Sequence, residues 1–320
     1  MIGTFDGVHA GHAALVRRAR ERVGPGGRVV ALSFDPHPVS VLRPGREPAL
    51  LTDFATRAGL LRALGVDGVE RLVPTPDLLD MTPGAFVAWV VERHRPVVFV
   101  EGEGFRFGRG RSGTLDDLAA MGAGMGFAVE VVGGSGGAGG VCAMMSDGSL
   151  VRVSSSLVRW LLRHGRVEDA ASALGRRHRV EGVVTPGDRR GRTVGFPTAN
   201  VSGIGTLVPG DGVYACVAEM PDGRRYASAV NIGARPTVGG HERRVEAHLL
   251  LDGDRLWPGG DGPEYGWRVS LEFAGWVREE MRFGSVGALV EQIGRDVARA
   301  RGIVGGEASP GVTPRAEAFV

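Results

Sequence analysis

Residues 3–12 read Gly3-Thr4-Phe5-Asp6-Gly7-Val8-His9-Ala10-Gly11-His12. Met1 and Ile2 precede this stretch, and a helical pattern through Ala13, Leu15 and Val16 follows it. A strand is expected to end near Ile2-Gly3, the chain to turn through Phe5-Asp6-Gly7, and a helix to open near Gly11. The first N–H groups of a helix have no acceptor inside it and carry partial positive charge, which suits a phosphate. Glycine lets the backbone approach such an anion closely. His9 and His12, three residues apart, would both face that helix mouth. The pattern points to a phosphate-binding turn that stabilises a transition state. An ordinary glycine turn with two surface histidines is the competing reading.

Working outward, helices and strands alternate. Residues 13–23 read as a helix, stopped by Gly24-Pro25-Gly26-Gly27. Residues 28–34 (RVVALSF) form a continuous apolar run suited to a parallel sheet buried on both faces, and it ends in Asp35-Pro36-His37-Pro38. A helix over 53–64 is capped by Asp53, and a short strand over 69–74 follows. Thr82-Pro83 opens a third helix, and residues 96–101 (PVVFVE) form another buried strand before the glycine-rich stretch 102–113. A helix over 115–121 and a strand over 128–132 complete the series. The alternation predicts an α/β domain with a doubly wound, Rossmann-like parallel sheet, whose ligands sit at the carboxyl ends of the strands.

Residues 133–140 (GGSGGAGG) read as a flexible surface loop. Ser154, Ser155 and Ser156 precede a helix over 157–163, a second helix-start anion site with Arg159 one turn in. An ordinary serine cap is the alternative there. A helix over 167–174 ends at Gly175. After about residue 178 the pattern changes to short strands over 179–184, 212–219, 225–232, 244–251 and 267–273, closed by one helix over 286–301. This predicts a small antiparallel β-barrel with a C-terminal helix. The expected division is 1–178, 179–302 and a disordered tail over 303–320, rich in glycine, proline and serine.

A length of 320 residues fits about two domains. No apolar run approaches the ~20 residues of a spanning helix. No charged-then-apolar leader is legible, so a cytoplasmic location and no membrane partner are expected. The net charge is +2, and all 38 basic residues are scattered arginines. This argues against nucleic acid and for small-molecule partners. Cys142 and Cys216 lie far apart and form neither a metal cluster nor a disulfide framework. The oligomeric state is not legible.

Residues 191–200 read GRTVGFPTAN. Thr198 and Asn200 are neutral oxygen donors two apart, on one side of an extended chain. Hard cations such as Mg²⁺ accept such oxygens alongside phosphate oxygens. The preceding glycines permit a loop over a triphosphate. Residues 245–248 (VEAH) put Glu246 in an apolar strand, where it suits a general base on an alcohol. A barrel-interior ion pair with an arginine such as Arg235 is the competing reading.

Seven motifs occur in order: residues 3–12, Phe34-Asp35-Pro36-His37-Pro38, Phe105-Arg106-Phe107-Gly108, Ser154 to Arg159, Gly195-Phe196-Pro197-Thr198-Ala199-Asn200, residues 230–237 (VNIGARPT) and Val245-Glu246-Ala247-His248. Together they resemble the bacterial bifunctional riboflavin kinase/FMN adenylyltransferases, over roughly residues 1–302. The resemblance implies two reactions with ATP, riboflavin and FMN as substrates and Mg²⁺ as cofactor. In the barrel, Glu246 would be the general base. Thr198 and Asn200 would be the Mg²⁺·ATP ligands in the loop of Gly195, Phe196 and Pro197. Arg235 would belong to the same site, and Arg278 would lie on the flavin side. In the first domain, His9 and His12 would stabilise the transferring phosphate. Gly3, Phe5, Asp6, Gly7 and Gly11 would form their turn. Ser154, Ser155, Ser156 and Arg159 would be a second phosphate motif, and Asp35, His37, Pro38 and Arg106 would line the flavin or nucleotide. The sequence departs from the family in having only Met1 and Ile2 before Gly3, Gly104 in place of Asn or Asp, and Ser156 in place of Thr. Residues 133–140 and 256–263 read as insertions. A riboflavin kinase with a nucleotide-binding but inactive first domain is the alternative.

Overall fold

Alternate residues of a strand face opposite sides of its sheet, and in the first half of this chain both sides are covered. The computed structural model describes residues 1–133, 140–237, 240–250 and 263–305. Residues 133–140, 256–263 and 303–320, singled out above, therefore lie wholly or mostly outside the described residues. The chain divides into two units. The first holds Met1–Arg159 and Ser172–Arg176, and the second holds Trp160–Ala171 and the chain from Arg177 onward.

The first unit runs β1 (Ile2–Gly3), α1 (Ala10–Val23), β2 (Val30–Phe34), α2 (Val39–Leu42), α3 (Phe54–Ala63), β3 (Gly68–Leu72), α4 (Pro76–Leu79), α5 (Pro83–His94), β4 (Val98–Gly102), α6 (Leu115–Met125) and β5 (Ala128–Val132). A small antiparallel hairpin follows, β6 (Cys142–Met144) with β7 (Leu150–Arg152). Then come α7 (Ser155–Arg163) and α8 (Val167–Leu174), which cross between the units. Helix starts follow the sequence signals, with Asp53, Thr82 and Thr114 accepting from the third residue on. Ala31 and Val100 join one core with Val16 and Leu61, whereas Leu32 and Phe99 join another with Phe86, Val90 and Leu118. Two apolar layers on opposite strand faces are the doubly wound arrangement.

The parallel sheet is in two pieces. One has the order β1-β2-β3, and β4 pairs separately with β5. At the break, Ile2 N–H donates to Glu101 Oε1 of β4 at 2.8 Å. A side chain thus takes the donor that a ladder would give to a β4 carbonyl. Burial pushes the Glu101 carboxyl up to about 7.

The second unit contains β8 (Arg179–Thr185), α9 (Arg190–Thr193), β9 (Ala199–Ser202), β10 (Gly212–Glu219), β11 (Arg225–Thr237), β12 (Gly240–Leu249), β13 (Arg268–Arg278) and α10 (Val286–Gly305). Six strands close a barrel in the order β10-β11-β12-β9-β8-β13. Tyr214, Val230 and Ala247 pair in register and are fully buried inside it. The intervening residues face outward. There Val213, Ala215 and Val277 pack with Ala300 of α10. β9 is a strand that the sequence pattern did not separate from its loop, because it is four residues long and holds Asn200.

Candidate active sites

In the first unit the turn of residues 3–12 lies between β1 and α1. Phe5 (φ 48°), Gly7 (φ 83°) and Val8 (φ 42°) are left-handed, so the backbone is strained where it enters the helix. The His9 and His12 rings stack, with centroids 3.7 Å apart and planes at 16°. Phe5 meets His12 edge-on at 5.2 Å. His9 N–H donates to His12 Nδ1 at 3.3 Å, so neutral His12 carries its proton on Nε2. His9 Nδ1 is buried and has no partner among the described residues, as suits a group that a ligand or water completes.

Burial, then the Arg176 cation, takes His9 down to about 4. Burial, then His9, Arg57 and Arg176, holds His12 well below the usual imidazole range. Both rings are therefore neutral at pH 7. For His9, the unfolded chain binds a proton below about 6.5 and the folded chain only below about 4. Its contribution is complete above the unfolded value and lost as pH falls through that window. We expect the first unit to lose roughly 3 kcal/mol between pH 7 and pH 4 from this ring. Denaturant melts of a His9→Phe variant, compared with the parent across pH, check it: the variant's slope should be shallower.

Spacing inside the motif follows from the stack. A Cβ on Gly11 would come 3.0 Å from His9 Cε1. Gly11→Ala is expected to displace His9. Alanine is the better helix former by roughly 1 kcal/mol. A normal melting temperature with shifted His9 and His12 ring resonances is the expected pair of results, measured by calorimetry and NMR. Gly3 is less constrained, with the Phe5 ring at 3.6 Å from a Cβ built there.

Asp6 is 1% exposed. It accepts from Leu51 N–H (3.1 Å), Thr52 N–H (3.0 Å) and Thr52 Oγ1 (3.2 Å), and it pairs with Arg159. Arg159 also donates from Nε to Ala49 O at 2.7 Å. Ser155 Oγ donates to Asp6 O at 2.8 Å, Ser154 Oγ caps α7 through Leu157 N–H, and Ser156 is exposed. The two anion motifs are thus brought together, with Asp6 as the joint. Asp35 lies 3.8 Å from the fully buried Arg57 and 3.4 Å from Arg71. His37 Nδ1 accepts from Val39 N–H at 3.2 Å, and Pro38 opens α2. Arg106 is exposed and donates to its neighbour's carbonyl, Phe105 O. Sequence reasoning missed Arg57, Thr52 and Arg176, because an isolated Arg or Thr carries no pattern.

In the second unit, paired register sets the site. Thr185 (β8), Asn200 (β9), Glu246 (β12) and Asn231 (β11) are successive neighbours across four strands. Their row continues through Val213 on the outer wall. Glu246 therefore faces outward, between two asparagines, and is not an interior carboxylate. A cavity of about 280 Å³ lies over it, lined by Asp188, Thr198, Asn200, Asn231, Arg244 and Glu280 among others. His248 Nδ1 bonds to Pro197 O at 2.7 Å and meets Phe196 edge-on, fixing the Gly195–Asn200 loop on β12. Gly195 is left-handed at φ 85°. The backbone of Arg235 pairs with Glu242, and its side chain lies outside the described residues. Arg278 is held by Asp296 of α10 through Nε (2.9 Å) and Nη2 (2.7 Å). Asp188, Asn231 and Glu280 are additional to the residues expected from sequence; Asn231 sat in the quoted VNIG motif and was legible there.

A strained helix-start turn with paired imidazoles, and a barrel cavity where Glu246, Asp188 and Glu280 stand beside neutral oxygen donors, suit an enzyme of nucleotidyl and phosphoryl transfer. Residues 1–139 match the FAD synthetase family and residues 174–304 the riboflavin kinase family. The chain belongs to the bifunctional riboflavin kinase/FMN adenylyltransferase family. It is 34% identical to the member from Escherichia coli K12 over 95% of this chain and 92% of that one. To the Pseudomonas fluorescens member it is 36% identical, over 94% and 91%. The crystal structure of a macrolide-efflux protein from Streptococcus pneumoniae is similar, with a TM-score of 0.76 at 25% identity over 94% of this chain and 93% of that one. Two family matches in one chain, with relatives bifunctional by name, support two activities over the kinase-only alternative. Among the described residues, no helix is long and apolar enough to cross a membrane.

Proposed function

We propose that the barrel phosphorylates riboflavin to FMN with ATP, and that the first unit then transfers the adenylyl group of a second ATP to FMN, giving FAD and pyrophosphate. The observation that carries the assignment is Glu246 in register between Asn200 and Asn231, facing the cavity that Thr198 also lines. Glu246 takes the proton from the ribityl 5′-hydroxyl as that oxygen attacks the γ-phosphorus of ATP. The asparagine amides orient the hydroxyl and phosphates without adding charge. The donor set suits Mg²⁺: a threonine hydroxyl and an asparagine carbonyl, with Asp188 and Glu280 nearby, are hard oxygen ligands. When bound, Mg²⁺ neutralises charge on the phosphates. Thr198 and Asn200 would hold the ion beside the substrate phosphates, which are further hard oxygen donors.

In the first unit, the FMN phosphate attacks the α-phosphorus of ATP and pyrophosphate leaves, with no covalent enzyme intermediate. His12 donates from Nε2–H to the transferring phosphate, and the first N–H groups of α1 stabilise the charge that develops there. Asp6 and Arg159 act by joining the two anion motifs, and Asp35, His37 and Pro38 border the flavin or nucleotide. We assign residues 1–178 to adenylyl transfer and 179–302 to the kinase, in a cytoplasmic enzyme. Incubation with riboflavin, ATP and Mg²⁺ followed by flavin separation is the test. FMN and then FAD are expected; FMN alone would remove the second activity, and unchanged riboflavin would remove both.

A further inference from the structure

Every carbonyl oxygen from Thr4 to Val8 has a donor on it. Ser33 Oγ donates to Thr4 O (3.2 Å), Val8 N–H to Phe5 O (3.0 Å) and Ser155 Oγ to Asp6 O (2.8 Å). The last two carbonyls share one side chain. Arg176 donates from Nη2 to Gly7 O at 2.6 Å and from Nη1 to Val8 O at 2.9 Å. Leu174, from the same segment, lies against Gly7, with its Cδ2 3.5 Å from a Cβ built there. The backbone so held is the left-handed pair Gly7 and Val8, the second of them β-branched. His9 follows immediately.

We infer that Arg176 is a positioning residue of the adenylyl-transfer site: its guanidinium forks across the Gly7 and Val8 carbonyls, holds the turn in its strained form and so places the stacked His9–His12 pair. Residue 176 falls inside the stretch that matches riboflavin kinases, 174–304, yet its bonds are made within the first unit. A planar fork reaches two adjacent carbonyls in fixed directions, which an ammonium cannot do. With its carbonyls turned onto Arg176, the turn presents the α1 N–H groups to an anion. The same cation adds to the field that keeps both imidazoles neutral. Arg57 acts with it on His12, and on His9 Arg159 does so while Asp6 opposes.

The inference rests on the assignment of the turn to adenylyl transfer, so the experiment separates the two. Full-length Arg176→Met, Arg176→Lys and His12→Ala are assayed for FMN formation from riboflavin and, separately, for FAD formation from supplied FMN. Arg176→Met is expected to lower FAD formation about 100-fold, mostly in kcat, and to leave FMN formation unchanged. Arg176→Lys, which keeps the charge but not the fork, should lose about tenfold. By NMR, the His9 and His12 rings should titrate at higher pH in Arg176→Met. Equal loss of both reactions, or no loss of FAD formation, overturns the role of Arg176. If Arg176→Met does not fold, Arg176→Lys decides, and parental FAD formation in it overturns the inference. Undiminished FAD formation in His12→Ala overturns the site assignment instead.

Discussion

Glu246→Gln is expected to abolish FMN formation, lowering kcat by about 10²- to 10⁴-fold, while FAD still forms from supplied FMN. Glutamine matches glutamate in size and keeps a hydrogen-bonding head, so the row Asn200–246–Asn231 should survive. What it loses is the ability to take a proton. Riboflavin binding, followed by flavin fluorescence, should change little, and the loss should fall on kcat rather than KM. FMN formation within a few-fold of the parent rate would show that another group takes the hydroxyl proton. Asp188 and Glu280, in the same cavity, would then be the residues to test.

His12→Ala is expected to do the reverse, cutting FAD formation by about 10²- to 10³-fold with FMN formation intact. Three roles go together: the Nε2–H donor, the acceptor on His9 N–H, and half of the ring stack. His12→Asn separates them, since an amide can cap the His9 N–H without replacing the ring. Assayed with supplied FMN, it should remain far below the parent. Near-parental FAD formation in His12→Asn would mean that capping, not donation to phosphate, is what the ring provides. Because both imidazoles are neutral well below pH 7, the acid limb of FAD formation should not report a group near 6.5 from either ring.

Most of the architecture was legible because it rests on local patterns. The helix over 53–64 had its cap at Asp53, the strand over 212–219 its apolar run, and the barrel its succession of short strands. What escaped was set by distant partners. The break between β1 and β4 depends on Glu101 offering a carboxylate to Ile2 N–H, and no spacing encodes that contact. Glu246 was readable as a carboxylate in an apolar strand. Its face was not, because inside and outside of a barrel differ only in register, and a shift of one residue exchanges them. The roles of Asp6 and Arg159 show the same limit. Both carry charge in phosphate motifs, yet each is spent on the other and on backbone groups of residues 49–52.

The chain leaves its first unit at Arg159 and returns to it for Ser172–Arg176 before leaving for good. Cut and paste between relatives must respect that detour. A chimaera joined at residue 174, where the kinase match begins, or anywhere from 160 to 171, would bring a donor's residues at positions 174 and 176 to a host's glycine turn, where this chain has Leu174 and Arg176 against Gly7 and Val8. With the role inferred for Arg176, the seam for exchanging the two activities is expected after that residue, beyond the last motif of the first unit.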